Sequence, residues 1–130
     1  MVKTENTPRF GEIWMAHLSR DGSVQGGYRP VFIVSNNLNN SHSPTLNIIP
    51  ITSRMNKRNL PVHVELWEPD RFGLKEPSTM MVEQIATVPA STLAFRIGKI
   101  EDDSTIAEIR NAMAVQFPVL QYNDSAAYPA

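Results

Sequence analysis

Gln25-Gly26-Gly27-Tyr28-Arg29-Pro30 leads without a break into Val31-Phe32-Ile33-Val34-Ser35-Asn36. Two adjacent glycines open backbone geometries closed to other residues, so the turn can be tight and can lie close to a ligand. Pro30 biases Arg29 towards an extended conformation. An extended arginine at the mouth of an apolar strand can project its guanidinium into a cleft, where its forked donors suit a phosphate or carboxylate. Taken alone, the commoner meaning of such a stretch is a hairpin turn followed by a surface arginine. The rest of the chain decides between the two.

Working outward, Gly11-Glu12-Ile13-Trp14-Met15-Ala16-His17-Leu18 has the β-branched and aromatic content of a first strand. His17, among apolar neighbours, reads as a packed histidine with one satisfied nitrogen. Arg29 to Val34 is the second strand. The asparagine-rich loop from Ser35 to Pro44 is turn-forming, and Ser35 or Asn36 could cap a single helical turn within it. Thr45 to Ile51 is a third strand whose Pro50 cannot donate to a ladder, which places that end at an edge or a bulge. Thr52-Ser53-Arg54 follows at once, two hydroxyls and a cation suited to an anion or to a turn cap.

Val62, Val64 and Leu66 alternate with His63 and Glu65, so the latter two are expected to face solvent. Thr79 to Val88 reads as one long strand interrupted by the polar pair Glu83-Gln84, which needs partners or a site to line. Pro89 to Leu93 suggests a short helical turn and Arg96 to Ile100 a last strand. Thr105 and Glu108 then form a plausible capping box, with Asp102 and Asp103 before it. Ile106, Ile109, Met113 and Phe117 recur at helical spacing up to Pro118. Short strands joined by Gly, Pro and Asn loops and closed by one helix predict a mainly β protein, a small barrel with a helix packed on it.

The 130 residues suit a single domain. Its core is expected over about 9–117, with flexible ends. Without cysteine there is no disulfide or thiolate metal site, and the three histidines are too scattered to suggest a metal centre. No apolar run approaches the roughly 20 residues of a membrane span, and the first six residues lack a signal-peptide core. A soluble cytoplasmic protein is expected. The net charge of -1 conceals an uneven distribution. Arg20 to Arg58 holds five basic residues against the single acid Asp21, whereas Asn59 onward holds five basic and ten acidic residues. A locally basic third could face a polyanion.

Three segments together resemble the MazF/PemK family of toxin endoribonucleases. They are Gly11-Glu12-Ile13-Trp14 with Gly22-Ser23-Val24-Gln25-Gly26-Gly27-Tyr28-Arg29-Pro30; Pro50-Ile51-Thr52-Ser53-Arg54 with Leu60-Pro61-Val62-His63-Val64-Glu65; and Val82-Glu83-Gln84-Ile85-Ala86-Thr87-Val88 with the closing helix. The resemblance implies an SH3-like barrel of the MazF, PemK and CcdB type, assembled as a homodimer. It implies sequence-specific cleavage of single-stranded messenger RNA without metal or cofactor, leaving a 2′,3′-cyclic phosphate and a 5′-hydroxyl. It also implies a cognate antitoxin lying in the RNA groove. The family's catalytic arginine and threonine fall on Arg29 and Thr52. Ser23, Gln25, Gly26, Gly27, Ser53, Arg54, Glu83 and Gln84 are the expected substrate-binding residues.

Three positions depart from the family pattern. Val24 stands where an acidic residue is common, Ala86 where an arginine is, and His17 where the first strand often carries an acidic residue. A same-fold toxin that binds a protein such as DNA gyrase, or an inactive homologue that only titrates an antitoxin, are the competing functions. Retention of Arg29 and Thr52 argues for the nuclease.

Overall fold

The computed structural model describes residues 6–19, 27–53 and 60–122. Seven strands make the sheet: β1 (Glu12–Leu18), β2 (Gly27–Ile33), β3 (Thr45–Thr52), β4 (His63–Leu66), β5 (Ser78–Met81), β6 (Ala86–Pro89) and β7 (Leu93–Lys99). Among the described residues two α-helices accompany them, α1 (Asn37–His42) and α2 (Asp103–Gln116). The order is β4-β5-β3-β2-β1-β7, with β6 pairing β3, and every described pairing is antiparallel. The mainly β expectation with a closing helix holds, but among the described residues the sheet is open: β4 and β7 stand at its two ends.

Alternation along the strands gives the sheet two working faces. One face, with Ile13, Phe32, Ile49, Ile51, Val64, Leu66 and Met80, packs against Ile109 and Ala112 of α2 and forms the main core. The other gathers Trp14, Ala16, Leu18, Val31, Ile33, Leu46 and Ile48 into a second cluster under β6 and the turn after it. Val31, Phe32 and Ile33 are wholly buried, so the opening stretch runs between both clusters.

Several local expectations are corrected. Of the edge or bulge expected at Pro50, the edge is excluded, because Pro50 is buried in a central strand. Its missing donor falls where β3 passes from its β6 partner, last paired at Ile48, to its β5 partner, first paired at Ile51. The stretch from Thr79 to Val88 is not one strand. A 3-10 turn at Val82–Gln84 breaks it into β5 and β6, which join different parts of β3. His17 is exposed and lies against Tyr28, ring centroids 4.6 Å apart, rather than being packed inside. The asparagine loop is braced by its own side chains. Asn36 caps α1 by accepting from the Asn39 N–H, and Asn40 exchanges hydrogen bonds with Ser35.

The cap of α2 is Asp102, not Thr105, which occupies the third helical position. Asp102 Oδ2 accepts from the Thr105 hydroxyl, the Thr105 N–H and the Ser104 hydroxyl. The Thr105 hydroxyl is the largest influence on the carboxyl. Burial opposes it, but the other two donors and Arg71 add to it, and the carboxyl is brought down to about 2. Asp102→Ala should therefore cost about 1 kcal/mol of stability at neutral pH. Because the folded-state value is depressed, the ionised cap contributes fully above about pH 4, and that contribution is lost as pH falls towards about 2. Urea midpoints of wild type and variant should converge between those limits; a gap unchanged at pH 2 would contradict this.

Candidate active site

Arg29 lies in β2, paired with Ala16 of β1 on one side. Gly27, at the strand's first position, has φ +82°, a left-handed geometry that glycine adopts without strain. The β2–β3 register runs Ile33↔Ile48, Phe32↔Ile49, Val31↔Pro50. Continued for two residues in the antiparallel sense, it sets Arg29 opposite Thr52. The next ladders pair Thr52 with Thr79 of β5 and Thr79 with Glu65 of β4. Paired residues share a face, so Thr52, Thr79 and Glu65 form one transverse row across three strands, and the β2–β3 register, carried two residues past its last pair, extends that row to Arg29. This row continues the face of the second cluster, where apolar side chains give way to polar ones.

A cation stands at one end of the row and a carboxylate at the other, with two hydroxyls between. Thr52 is 8% exposed and Thr79 is wholly buried. The Thr79 hydroxyl donates to Glu65 Oε2 at 2.7 Å. In the neighbouring row His63 pairs with Met81. The expectation that His63 faces solvent is overturned: its side chain is 5% exposed, with Nε2 3.0 Å from Glu83 Oε2. Glu83 thus reaches this face through His63, from the 3-10 turn that packs on α2. His63 Nδ1, Glu65 Oε1 and Glu83 Oε1 are buried with no hydrogen-bond partner among the described residues.

Arg29 also lines a cleft of about 390 Å³ with Ser53, Tyr28, Pro30, Met15, Phe95, Ile97, Gly73 and Leu74. Tyr28 and Phe95 are both more than half exposed there, on the face opposite to the one the Arg29 row occupies. Of the sequence-predicted residues, Arg29, Gly27, Thr52 and Ser53 therefore gather at one end of β2 and β3. Glu83 and Gln84 lie apart, at the turn after β5. Ser23, Gln25, Gly26 and Arg54 fall outside the described residues, as does the departure at Val24. The sequence reading did not single out Thr79 or Glu65, which the structure sets in the Thr52 row. Their signal was the alternation that takes Glu65 off the core face. Among the described residues no group of three or more His, Asp or Glu is arranged to hold a metal ion.

An open antiparallel β sheet backed by the C-terminal helix, with Arg29 of β2 and Thr52 of β3 brought to the same end of the sheet, defines the class as a small, mainly β protein. The family model described as PemK-like, MazF-like toxin of type II toxin–antitoxin system matches residues 9–117, and the chain belongs to that family. It is 37% identical over 108 residues to Endoribonuclease MazF of Staphylococcus saprophyticus, covering 82% of this chain and 88% of that protein. Its fold is similar to that of the Mycobacterium tuberculosis toxin MazF-mt6, with a TM-score of 0.69 and 23% identity over 82% of this chain and 96% of the other. It is also similar to a mycobacterial endoribonuclease solved in complex with its cognate antitoxin, TM-score 0.68 and 23% identity over 86% and 96%.

Proposed function

We propose that this chain is the toxin of a type II toxin–antitoxin pair and acts as a sequence-specific endoribonuclease on single-stranded RNA. The observation that carries this is the register of β2 and β3, which, carried two residues further, brings Arg29 opposite Thr52 in a chain of this family. The ribose 2′-hydroxyl attacks the adjacent phosphorus, the 5′-oxygen departs, and a 2′,3′-cyclic phosphate remains. Charge accumulates on the non-bridging oxygens, where the fork of Arg29 holds two of them. Thr52, on the adjacent strand, orients the nucleophile. The exposed Tyr28 and Phe95 supply the stacking surfaces that single-stranded RNA uses.

Neither step needs a metal, because the guanidinium supplies the positive charge at the phosphate. Binding of a cognate antitoxin, homodimer formation and a cytoplasmic location belong to the same reading. No described helix is long and apolar enough to cross a membrane. Purified protein incubated with long single-stranded RNA in excess EDTA should give discrete fragments with cyclic phosphate and 5′-hydroxyl ends. Intact RNA would refute the reading, and inhibition of gyrase supercoiling in its place would favour the protein-binding alternative.

A further inference from the structure

The reaction needs a group to take the proton of the attacking 2′-hydroxyl, and Arg29 is a poor choice. A guanidinium stays protonated, with a pKa above about 12. The row that holds Arg29 contains one carboxylate, Glu65, and two hydroxyls connect it to the reacting end. Resting on the nuclease reading above, we propose that Glu65 is the proton acceptor for the 2′-hydroxyl, acting through Thr79 and Thr52.

The geometry supports each link. Thr79 Oγ1 donates to Glu65 Oε2 at 2.7 Å, so the inner link is already formed. Thr52 and Thr79 are direct cross-strand partners. Such partners carry their Cβ atoms about 4.5–5.5 Å apart, within reach of a threonine–threonine hydrogen bond. With its own proton committed to Glu65, the Thr79 oxygen meets Thr52 as an acceptor. In the proposed relay Thr52 donates inward and presents a lone pair outward, the orientation a base needs. Thr79 is wholly buried, so bulk water does not compete along the chain. The other nearby carboxylate, Glu83, is engaged with His63 in the neighbouring row.

The step balances. The 2′-oxygen bonds to phosphorus as its proton passes to Thr52 Oγ1. Thr52 passes its own proton to Thr79 Oγ1, and Thr79 passes its own to Glu65. The bond from phosphorus to the 5′-oxygen breaks, and that oxygen takes a proton from water. After product release Glu65 returns a proton along the same hydroxyls, which neutralises the hydroxide left behind. Glu65 and Thr79 never touch the substrate in this scheme. They are positioning and relay residues, and Thr52 is the contact.

Glu65→Gln separates this role from a structural one, because the amide oxygen still accepts from Thr79. Single-turnover cleavage by Glu65→Gln should fall about 100-fold, within the range of about 10²–10⁴ for general-base catalysis. Affinity for an uncleavable RNA carrying 2′-deoxyribose at the cut should stay at the wild-type value. Thr79→Val should fall similarly and Thr79→Ser should recover most of the rate. Thr52→Val combined with Glu65→Gln should be no slower than Thr52→Val alone, because the chain is already cut. Glu65→Gln cleaving at the wild-type rate, or losing rate only as it loses affinity, would overturn the relay while leaving the nuclease reading intact. Failure of the wild type to cut would overturn both.

Discussion

Arg29→Ala should leave a folded protein whose RNA cleavage is slower by about 10²–10³-fold, corresponding to about 3–4 kcal/mol of lost transition-state stabilisation. The size follows from where the charge is needed. Ground-state RNA already carries one charge per phosphate, but the pentavalent state adds a second, spread over oxygens that a fork can grip in pairs. An interaction that strengthens as that charge develops lowers the barrier more than it tightens binding. The loss should therefore appear chiefly in the maximal rate and less in the RNA concentration for half-saturation. Arg29→Lys should recover little, because an ammonium supplies charge without the planar pair of donors. Stability should hold, since Arg29 is only half-buried and belongs to neither apolar cluster. Single-turnover kinetics with a melting curve for each variant would measure this. An Arg29→Ala enzyme with an unchanged maximal rate and only weaker binding would demote the guanidinium to an RNA anchor.

The placement of that arginine was largely legible in the sequence. Gly27 and Pro30 bracket it, the apolar run after it has to be buried, and a strand therefore begins where the structure has one. Thr52 was legible as the hydroxyl at the end of the next strand. Their being opposite each other was not. Opposition depends on register, and register is set by the loops and by which face each strand buries. The same gap hid the rest of the row. Alternation of Val64 and Leu66 does turn Glu65 and His63 off the core face, but leaving one core does not mean entering solvent. The sheet has polar neighbours on that side, and His63 is enclosed there with Glu83. The break between β5 and β6 was hidden for a different reason. Val82 is as apolar as any strand residue, and only the change of partner along β3 requires the chain to turn there.

The wall of the Arg29 cleft leads to the second large effect. Gly73 follows the 3-10 turn Pro69–Phe72, and Gly98 lies in β7. The two chain segments touch backbone to backbone. A Cβ on Gly98 would overlap the Phe72 carbonyl oxygen, lie 2.5 Å from the Phe72 carbonyl carbon and sit 3.1 Å from Gly73 N. A Cβ on Gly73 would overlap the Ile97 carbonyl oxygen and lie 2.7 Å from its carbon, at a φ of +77°. No flexible side chain is available to give way at either site, so the segments must separate. Gly98→Ala and Gly73→Ala should each cost about 4 kcal/mol or more, the range reserved for disrupted packing or backbone. Gly27 provides the control. Its φ is also positive, but a Cβ there meets nothing within 4 Å. Gly27→Ala should therefore cost only the left-handed penalty of about 1–2 kcal/mol. Urea midpoints for the three variants test the ranking, and Gly98→Ala is the decisive one because no positive φ contributes to it. If it proved as mild as Gly27→Ala, the close approach would not hold in solution. The cleft would then lose the rigid wall formed by Gly73, Leu74 and Ile97 beside Arg29.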